Sequence, residues 1–251
     1  MNNILILDIG NSLIKISLVN INENKVEETY LFGTRNFNKW KSDIKNLFHS
    51  LNYKEALIGS VVISINKKIE SLFPKKTKIY FIKNSDFSFL EFDKECDLKN
   101  IGLDILGFSY YLIENSINSI GISFGTAIFS IIVKNKKIMG VSILPSINKA
   151  FQDLKTNTEL INDFEIKNIR KDFGFNTNEC IESGYYHIIF GTVSSILNYA
   201  NDKYDVKDVF ITGGNYRNIN KFEFDKKFNI SNDQEQIVTL GYLLLYKIFL
   251  N

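Results

Sequence analysis

Two kinds of hydrophobic pattern alternate along this chain. Residues 3–9 and 12–20 are β-branched, apolar runs on either side of Gly10-Asn11, which is typical of a β-hairpin. Residues 37–50 instead carry large apolar side chains at helical spacing. Because strand and helix patterns follow one another in this way throughout, the sequence predicts an α/β protein.

The same interpretation assigns an element to most of the chain. The predicted strands span residues 3–9, 12–20, 26–33, 56–62, 78–82, 118–123, 127–134, 137–143 and 208–214. The predicted helices span residues 37–50, 64–72, 101–115, 147–157, 177–200 and 234–250, the fifth broken or bent near Gly184 and Gly191. Three strands followed by alternating helices and strands occur twice, so we expect mixed sheets with helices on both faces.

The first hairpin has a second copy in the sequence. Residues 4–20 and 119–135 align with an offset of 115, which places Gly10 on Gly125, Asn11 on Thr126 and Asn20 on Asn135. A duplicated unit of about half the chain length predicts two similar, closely packed domains, residues 1–116 and 117–251.

Composition narrows the classes of function. The chain has 30 basic and 28 acidic residues and a net charge of +2, and its lysines are spread out, so we expect no nucleic-acid partner. No apolar run reaches the roughly 18 residues of a membrane span, and no signal peptide is recognisable, so we expect no membrane partner. The two cysteines, Cys96 and Cys180, lack metal-ligand spacing, which favours reduced thiols in a cytoplasmic protein.

The first turn carries groups that suit a phosphate ligand. These groups are Asp8, Gly10, Asn11, Ser12 and Lys15. Glycine allows the backbone to approach a ligand closely, and a carboxylate beside phosphate oxygens suits Mg²⁺. A plain hairpin turn would explain the same residues, but the second copy, SFGTA at 123–127, favours phosphate binding.

Three further positions carry candidate chemistry. Asp104, near the start of a predicted helix, could accept a proton from a substrate hydroxyl, although carboxylates are favoured at helix N-termini without any catalytic role. Gly213-Gly214 could cradle a nucleobase or ribose, or simply connect a strand to the next element. Thr177 is expected to cap its helix rather than to act in catalysis. The motifs of serine hydrolases, Rossmann domains and P-loop proteins are absent from the sequence.

Seven short motifs occur together from one end of the chain to the other. They are DIGNSLIK (8–15), GSVV (59–62), GLD (102–104), FGTA (124–127), Pro145 with Leu154 and Thr158, NTNECIESG (176–184) and ITGGN (211–215). In this order they resemble the motifs of the type III pantothenate kinases, a family of the acetate/sugar kinase–Hsp70–actin superfamily.

This resemblance implies a fold and a reaction. The fold would be the duplicated ribonuclease-H-like fold of actin-like ATPases, and the protein a homodimer. The reaction would be ATP-dependent phosphorylation of pantothenate to 4′-phosphopantothenate, the first step of coenzyme A biosynthesis. Mg²⁺ would be required and, as in many members, a monovalent cation such as K⁺ or NH₄⁺.

The resemblance also implies a role for each matching residue. Asp104 would be the general base, and Asp8 would hold Mg²⁺. ATP and its phosphates would be bound by Asp8, Gly10, Asn11, Ser12, Lys15, Gly125, Thr126, Gly213 and Gly214. The substrate would be bound by Gly102, Leu103, Asp104 and Thr177.

Three positions depart from the family pattern. Ile105 stands where the family has a substrate-binding arginine, Ser123 stands where the second turn has an acidic residue, and Ser146 replaces glycine. An aliphatic side chain cannot pair with the carboxylate of pantothenate, and a lost charged hydrogen bond costs about 1.5–3 kcal/mol. The alternatives are therefore a catalytically impaired homologue that binds nucleotide or a partner, or a kinase for another small alcohol.

Overall fold

A computed structural model describes residues 3–214, 227–231 and 236–250 of the 251-residue chain. The chain forms two compact units, and the first combines Met1–Asn115 with Gln236–Asn251. The second unit is the continuous stretch Ser116–Glu235. One predicted boundary, at residues 116 and 117, lies next to the observed junction, but residues 236–251 belong to the first unit rather than to the second.

The first unit is a five-stranded sheet with helices on both faces. Its elements are β1 (Asn3–Ile9), β2 (Leu13–Asn20), β3 (Lys25–Gly33), α1 (Phe37–Ser50), β4 (Glu55–Ser60), α2 (Ile63–Glu70), β5 (Lys78–Phe81), α3 (Leu103–Asn115) and, from the end of the chain, α6 (Ile237–Leu250). The strand order is β3-β2-β1-β4-β5. The first three strands are antiparallel neighbours, while β4 and β5 continue the sheet in parallel.

The second unit repeats this sheet topology. Its elements are β6 (Asn118–Phe124), β7 (Ala127–Lys134), β8 (Lys137–Pro145), α4 (Ile147–Asn157), α5 (Thr177–Tyr204), β9 (Asp208–Thr212) and β10 (Asn229–Ser231). The strand order is β8-β7-β6-β9-β10, with β9 parallel to β6 and β10 parallel to β9. The predicted α/β architecture of two similar sheets is therefore confirmed.

Most predicted elements differ from the observed ones only at their ends. The predicted strand at 208–214 ends at Thr212, and β10 was not predicted because three residues are too few to show a pattern. α5 continues unbroken through Gly184 and Gly191, so the predicted break is wrong. The helix buries a long apolar face, and this outweighs the roughly 1 kcal/mol that each glycine costs a helix.

The alignment of the two hairpins changes at the turn. β1 and β6 are related by an offset of 115, but β2 and β7 are related by an offset of 114. The second turn is one residue shorter, because Ile9 pairs with Ile14 whereas Phe124 pairs with Ile128. The predicted match of Asn20 to Asn135 is therefore wrong.

The two faces of the first sheet pack against different helices. Leu5, Leu7 and Ile9 belong to the apolar cluster that α1 and α2 complete. Side chains alternate between the faces of a strand, so Ile6 and Asp8 point to the other face, where α3 and α6 pack. The face that holds Asp8 is therefore covered by α3 and by the last helix of the chain.

α3 and α6 approach each other through glycines. A Cβ atom at Gly241 would collide with the backbone of Gly107, so the two helix backbones are nearly in contact. α3 buries most of its surface, including Leu106, Phe108 and Leu112, as expected for a helix that is apolar on all sides. Among the described helices, each falls short of the length and apolarity that crossing a membrane would demand.

Candidate functional site

The turn between β1 and β2 is fixed by hydrogen bonds from its neighbours. The backbone N–H of Gly10 donates to the carbonyl of Leu13 at 2.9 Å. Thr34, at the end of β3, donates from its hydroxyl to the carbonyl of Gly10 at 2.7 Å and from its N–H to the carbonyl of Ser12 at 3.0 Å. Asn11 is exposed at the tip of this turn. Gly10, Asn11 and Ser12 of the predicted phosphate site thus lie on a turn held by three hydrogen bonds. The sequence analysis missed the part played by Thr34.

A row of residues crosses the sheet beside this turn. Asp8 of β1 pairs with Lys15 of β2 on one side and with Gly59 of β4 on the other. Paired residues on neighbouring strands share a face, so Lys15 and Asp8 lie on the face covered by α3 and α6. Gly59 leaves room for the aromatic ring of Tyr242 from α6, because a Cβ atom there would collide with that ring. The sequence analysis did not identify Tyr242.

Asp8 has an altered acidity. Its carboxyl has a pKa of about 6, which burial raises most and the negative charge of Asp104 raises to a smaller extent. Lys15 opposes the change because its positive charge favours the ionised carboxylate. Asp8 and Asp104 are therefore close enough to interact electrostatically within the first unit.

Asp104 is the second residue of α3. Its carboxylate accepts a hydrogen bond from the N–H of Ile105 at 3.0 Å. Burial raises the pKa of Asp104, and that backbone hydrogen bond partly offsets the rise. A Cβ atom at Gly102 would collide with the Asp104 carboxylate, which gives a physical reason for the glycine of the GLD motif. Leu103 and Ile105 are buried in the core.

The second turn is neutral where the first is charged. The N–H of Gly125 donates to the carbonyl of Ala127 at 3.1 Å, and Thr126 follows it at the tip. Ser123 occupies the position of Asp8, and its partner in β7 is Phe129, whereas the partner of Asp8 is Lys15. Both members of the charged pair are therefore replaced in the second unit, and the counterpart of Lys15 is Phe129 rather than the Ser130 that an offset of 115 gives.

The glycine pair after β9 lies against this second turn. Gly213 has a φ of +104°, which L-residues rarely adopt. A Cβ atom at Gly213 would also collide with the backbone of Phe124, the residue before Gly125. The structure therefore brings Gly213-Gly214 close to Gly125-Thr126, as a nucleotide-binding role requires. Asn215 of the same motif lies outside the described residues.

The start of α5 is capped by Asn176 rather than by Thr177, contrary to our prediction. The Asn176 side chain accepts a hydrogen bond from the N–H of Glu179 at 3.1 Å. Glu179 in turn accepts from the N–H of Phe175 at 2.9 Å. Thr177 is exposed as the first residue of the helix. Its hydroxyl is therefore not needed for capping, which is compatible with the substrate contact that the resemblance implies.

A small cavity lies beside the second turn. It is lined by Phe124, Gly125, Ile128, Ser146, Ile147, Asn148, Tyr185 and Ile189. The hydroxyl of Tyr185 donates to the amide oxygen of Asn148 at 3.3 Å across this cavity wall. The sequence analysis missed both residues, because neither belongs to a recognisable motif.

The residues present fit a magnesium–nucleotide complex better than a metal held by protein alone. Among the described residues, no group of three or more His, Cys, Asp or Glu side chains is arranged to bind a metal. Mg²⁺ usually takes one or two carboxylates and fills its remaining positions with water and phosphate oxygens. A single carboxylate, Asp8, beside the glycine turn between β1 and β2 matches that preference.

Comparison with known proteins decides the family. The family model for type III pantothenate kinase matches residues 4–199, which include both turns, Asp104 and the start of α5. This chain belongs to the type III pantothenate kinase family. Members of this family are enzymes, so the chain is a nucleotide-binding transferase of the kinase class.

Curated relatives agree over nearly the whole chain. The type III pantothenate kinase of Malacoplasma penetrans (strain HF-2) is 31% identical over 99% of this chain and 97% of its own length. That of Acholeplasma laidlawii (strain PG-8A) is 29% identical over 97% of this chain and 98% of its own.

Solved structures that resemble the chain establish the fold. A Campylobacter jejuni protein described as a Baf family transcriptional activator has a TM-score of 0.61 at 16% identity, covering 98% of this chain and 99% of its own. The polyphosphate/ATP-glucomannokinase of Arthrobacter sp. strain KM has a TM-score of 0.50 at 10% identity, covering 99% and 100%. With the repeated sheet topology, these likenesses confirm the duplicated ribonuclease-H-like fold of actin-like ATPases.

Proposed function

We propose that this type III pantothenate kinase transfers the γ-phosphoryl group of ATP to the primary hydroxyl of pantothenate. The product, 4′-phosphopantothenate, would enter coenzyme A biosynthesis. The observation that carries the proposal is the pair of interacting carboxylates, Asp8 and Asp104, on one face of the first unit. Phosphoryl transfer needs one group that manages the charge of the phosphates and another that receives the proton of the alcohol.

Asp104 is the proposed general base. It would accept the proton of the substrate hydroxyl as the oxygen attacks phosphorus. A base works best when its pKa lies near the working pH, and burial moves the pKa of Asp104 in that direction. The hydrogen bond from the N–H of Ile105 keeps one carboxylate oxygen oriented, which leaves the other available to the substrate.

Asp8 and the two turns are the proposed nucleotide site. Asp8 would hold Mg²⁺, which supplies charge neutralisation for the phosphates when it is bound. In the first turn, Gly10, Asn11, Ser12 and Lys15 would contact phosphate oxygens. In the second unit, Gly125, Thr126, Gly213 and Gly214 would offer neutral donors only, since Ser123 and Phe129 carry no charge. We therefore place most of the charge handling in the first unit.

The substrate would be held by Gly102, Leu103, Asp104 and Thr177. Ile105 is buried in the core of α3, so it cannot meet the pantothenate carboxylate. A neutral donor can still bind a carboxylate, but more weakly than the arginine that this family pattern usually has. We also propose cytoplasmic action, for which the two free cysteines are appropriate.

The first prediction is the reaction itself. Purified protein incubated with ATP, Mg²⁺ and pantothenate is expected to form ADP and 4′-phosphopantothenate, detected by mass spectrometry, with a higher rate when K⁺ or NH₄⁺ is present. A panel of small alcohols serves as the control for substrate choice. Phosphorylation of another alcohol but not pantothenate would identify a different kinase, and no transfer in any condition would favour an impaired homologue.

The second prediction concerns the homodimer. Leu160, Phe173 and Phe175, between α4 and α5, are 92%, 81% and 95% exposed, and such side chains commonly mark an interface. Light scattering is expected to give twice the 29.0 kDa chain mass. The double change of Phe173 and Phe175 to serine should yield monomers, whereas Ile63→Ser, at an equally exposed site in the first unit, should leave the dimer intact. A monomeric wild type would contradict the proposal.

A further inference from the structure

Tyr242 has a buried hydroxyl without a hydrogen-bond partner. The side chain is fully buried in α6, and its hydroxyl oxygen has no partner among the described residues. A buried polar group without a partner is costly, and proteins satisfy nearly all such groups. A phenylalanine would fill the same space without that cost, so the hydroxyl requires an explanation.

The ring of Tyr242 is held from two sides. A Cβ atom at Gly59 of β4 would collide with the ring and its hydroxyl, and one at Gly107 of α3 would lie 2.6 Å from a ring carbon. The two glycines form a slot that fits the ring closely. The position of the hydroxyl is consequently fixed, and a hydrogen bond can form only if the partner group moves within reach of it.

The hydroxyl lies close to Asp8. Gly59, over which the hydroxyl is positioned, pairs directly with Asp8 on the neighbouring strand, and neighbouring strands lie about 4.8 Å apart. The charges of Asp8 and then of Asp104 contribute to raising the pKa of the Tyr242 hydroxyl, with burial as the largest cause. A phenol has an ordinary pKa of about 10, so this hydroxyl can donate a hydrogen bond at neutral pH.

Tyr246, one turn further along α6, shows what such a hydroxyl does in a structural role. It donates to the carboxylate of Glu55 at 3.0 Å, four residues before Gly59 on β4. Both tyrosines therefore extend from α6 and contact residues of β4. Tyr246 has its acceptor, Glu55, on β4 itself. Tyr242 instead packs over Gly59 of β4, and the nearby carboxylate is that of Asp8 on the neighbouring strand β1.

We propose that Tyr242 is a positioning residue for Asp8, to whose carboxylate its hydroxyl donates a hydrogen bond once the magnesium nucleotide is bound. The inference rests on the proposed function of Asp8. Hydrogen bonds of an active site are often absent or long in the free enzyme and tighten only in the complex. Tyr242 would then fix the direction of the Asp8 carboxylate without touching the substrate.

Paired tyrosine variants test this proposal in the full-length enzyme. Tyr242→Phe is expected to lower kcat about 10- to 100-fold, as for a lost hydrogen bond to a charged group, with KM for pantothenate changed less than threefold. Without ligands its Tm should equal that of wild type or exceed it by about 2–4 °C. Tyr246→Phe is the matched control, with kcat unchanged and a Tm that falls because Glu55 loses its donor.

An NMR measurement tests the role of Tyr242 independently of the proposal that pantothenate is the substrate. In protein labelled at the tyrosine ζ carbon, Mg²⁺ with a non-hydrolysable ATP analogue is expected to shift the Tyr242 resonance and to leave that of Tyr246 in place. This holds whichever alcohol is phosphorylated. A stationary Tyr242 resonance in the nucleotide-bound protein would overturn the positioning role, as would an unchanged kcat of Tyr242→Phe with the enzyme's own substrate.

Discussion

Asp104→Asn is expected to lower kcat for pantothenate by a factor of about 10²–10⁴, the usual contribution of a general base. The amide keeps the shape of the side chain and can still accept the hydrogen bond from the N–H of Ile105. It cannot take up the proton of the substrate hydroxyl. The affinity for ATP should change less than threefold, because Asp104 is proposed to contact the alcohol rather than the nucleotide.

Steady-state kinetics and calorimetry with a non-hydrolysable ATP analogue check this prediction. Glu114→Gln, at the exposed end of the same helix, is the control and should be as active as wild type. Burial raises the pKa of Asp104, so the wild-type rate should also rise with pH as this carboxyl ionises. A variant that keeps more than a tenth of the wild-type kcat would show that another group is the base.

Asp8→Asn is expected to be inactive and yet more stable than wild type in the absence of ligands. The folded protein has a pKa of about 6 at Asp8, above the ordinary value of 3.8, so ionising this carboxyl opposes folding. At pH 7 this difference in pKa corresponds to a gain of up to about 3 kcal/mol in the free energy of unfolding. The gain is reduced by the attraction between Lys15 and Asp8, which the substitution removes. Asparagine removes the charge and keeps the volume.

The stability difference between wild type and Asp8→Asn is expected to grow with pH. Near pH 4 and below, Asp8 is neutral in the folded protein, so the two proteins should unfold at nearly the same temperature. From about pH 4 to about pH 6 the wild type loses stability relative to Asp8→Asn, and above pH 6 the gap stays constant. Calorimetric scans in EDTA measure it, and equal stabilities at pH 7 would contradict the assigned burial of the charge.

Sequence motifs predicted the parts of the site that depend on local structure. The first turn, the second turn and the GLD segment lie where the apolar pattern placed them, since a glycine turn between two strands has few alternative structures. The motifs also supplied Asp8 and Asp104, and in the folded first unit the charge of Asp104 contributes to the raised pKa of Asp8.

Other features depend on contacts that a single sequence does not display. The shorter second turn was missed because a gap of one residue inside a glycine turn leaves the apolar pattern almost unchanged, and so Phe129 was not recognised as the counterpart of Lys15. Tyr242 was missed because a tyrosine in an apolar helix has the pattern of a core residue. Its importance depends on Gly59, which is distant in sequence.

The position of α6 has a consequence for the order in which the chain acquires its structure. A ribosome completes residues 116–235 before it adds the helix that covers Asp8, so the second unit can fold while the first still lacks a layer. Until then the apolar side of α3 that packs against α6 is uncovered, and Gly107 lacks its contact with Gly241. The carboxylate face of this enzyme therefore gains its covering helix only after residues 116–235 have been synthesised.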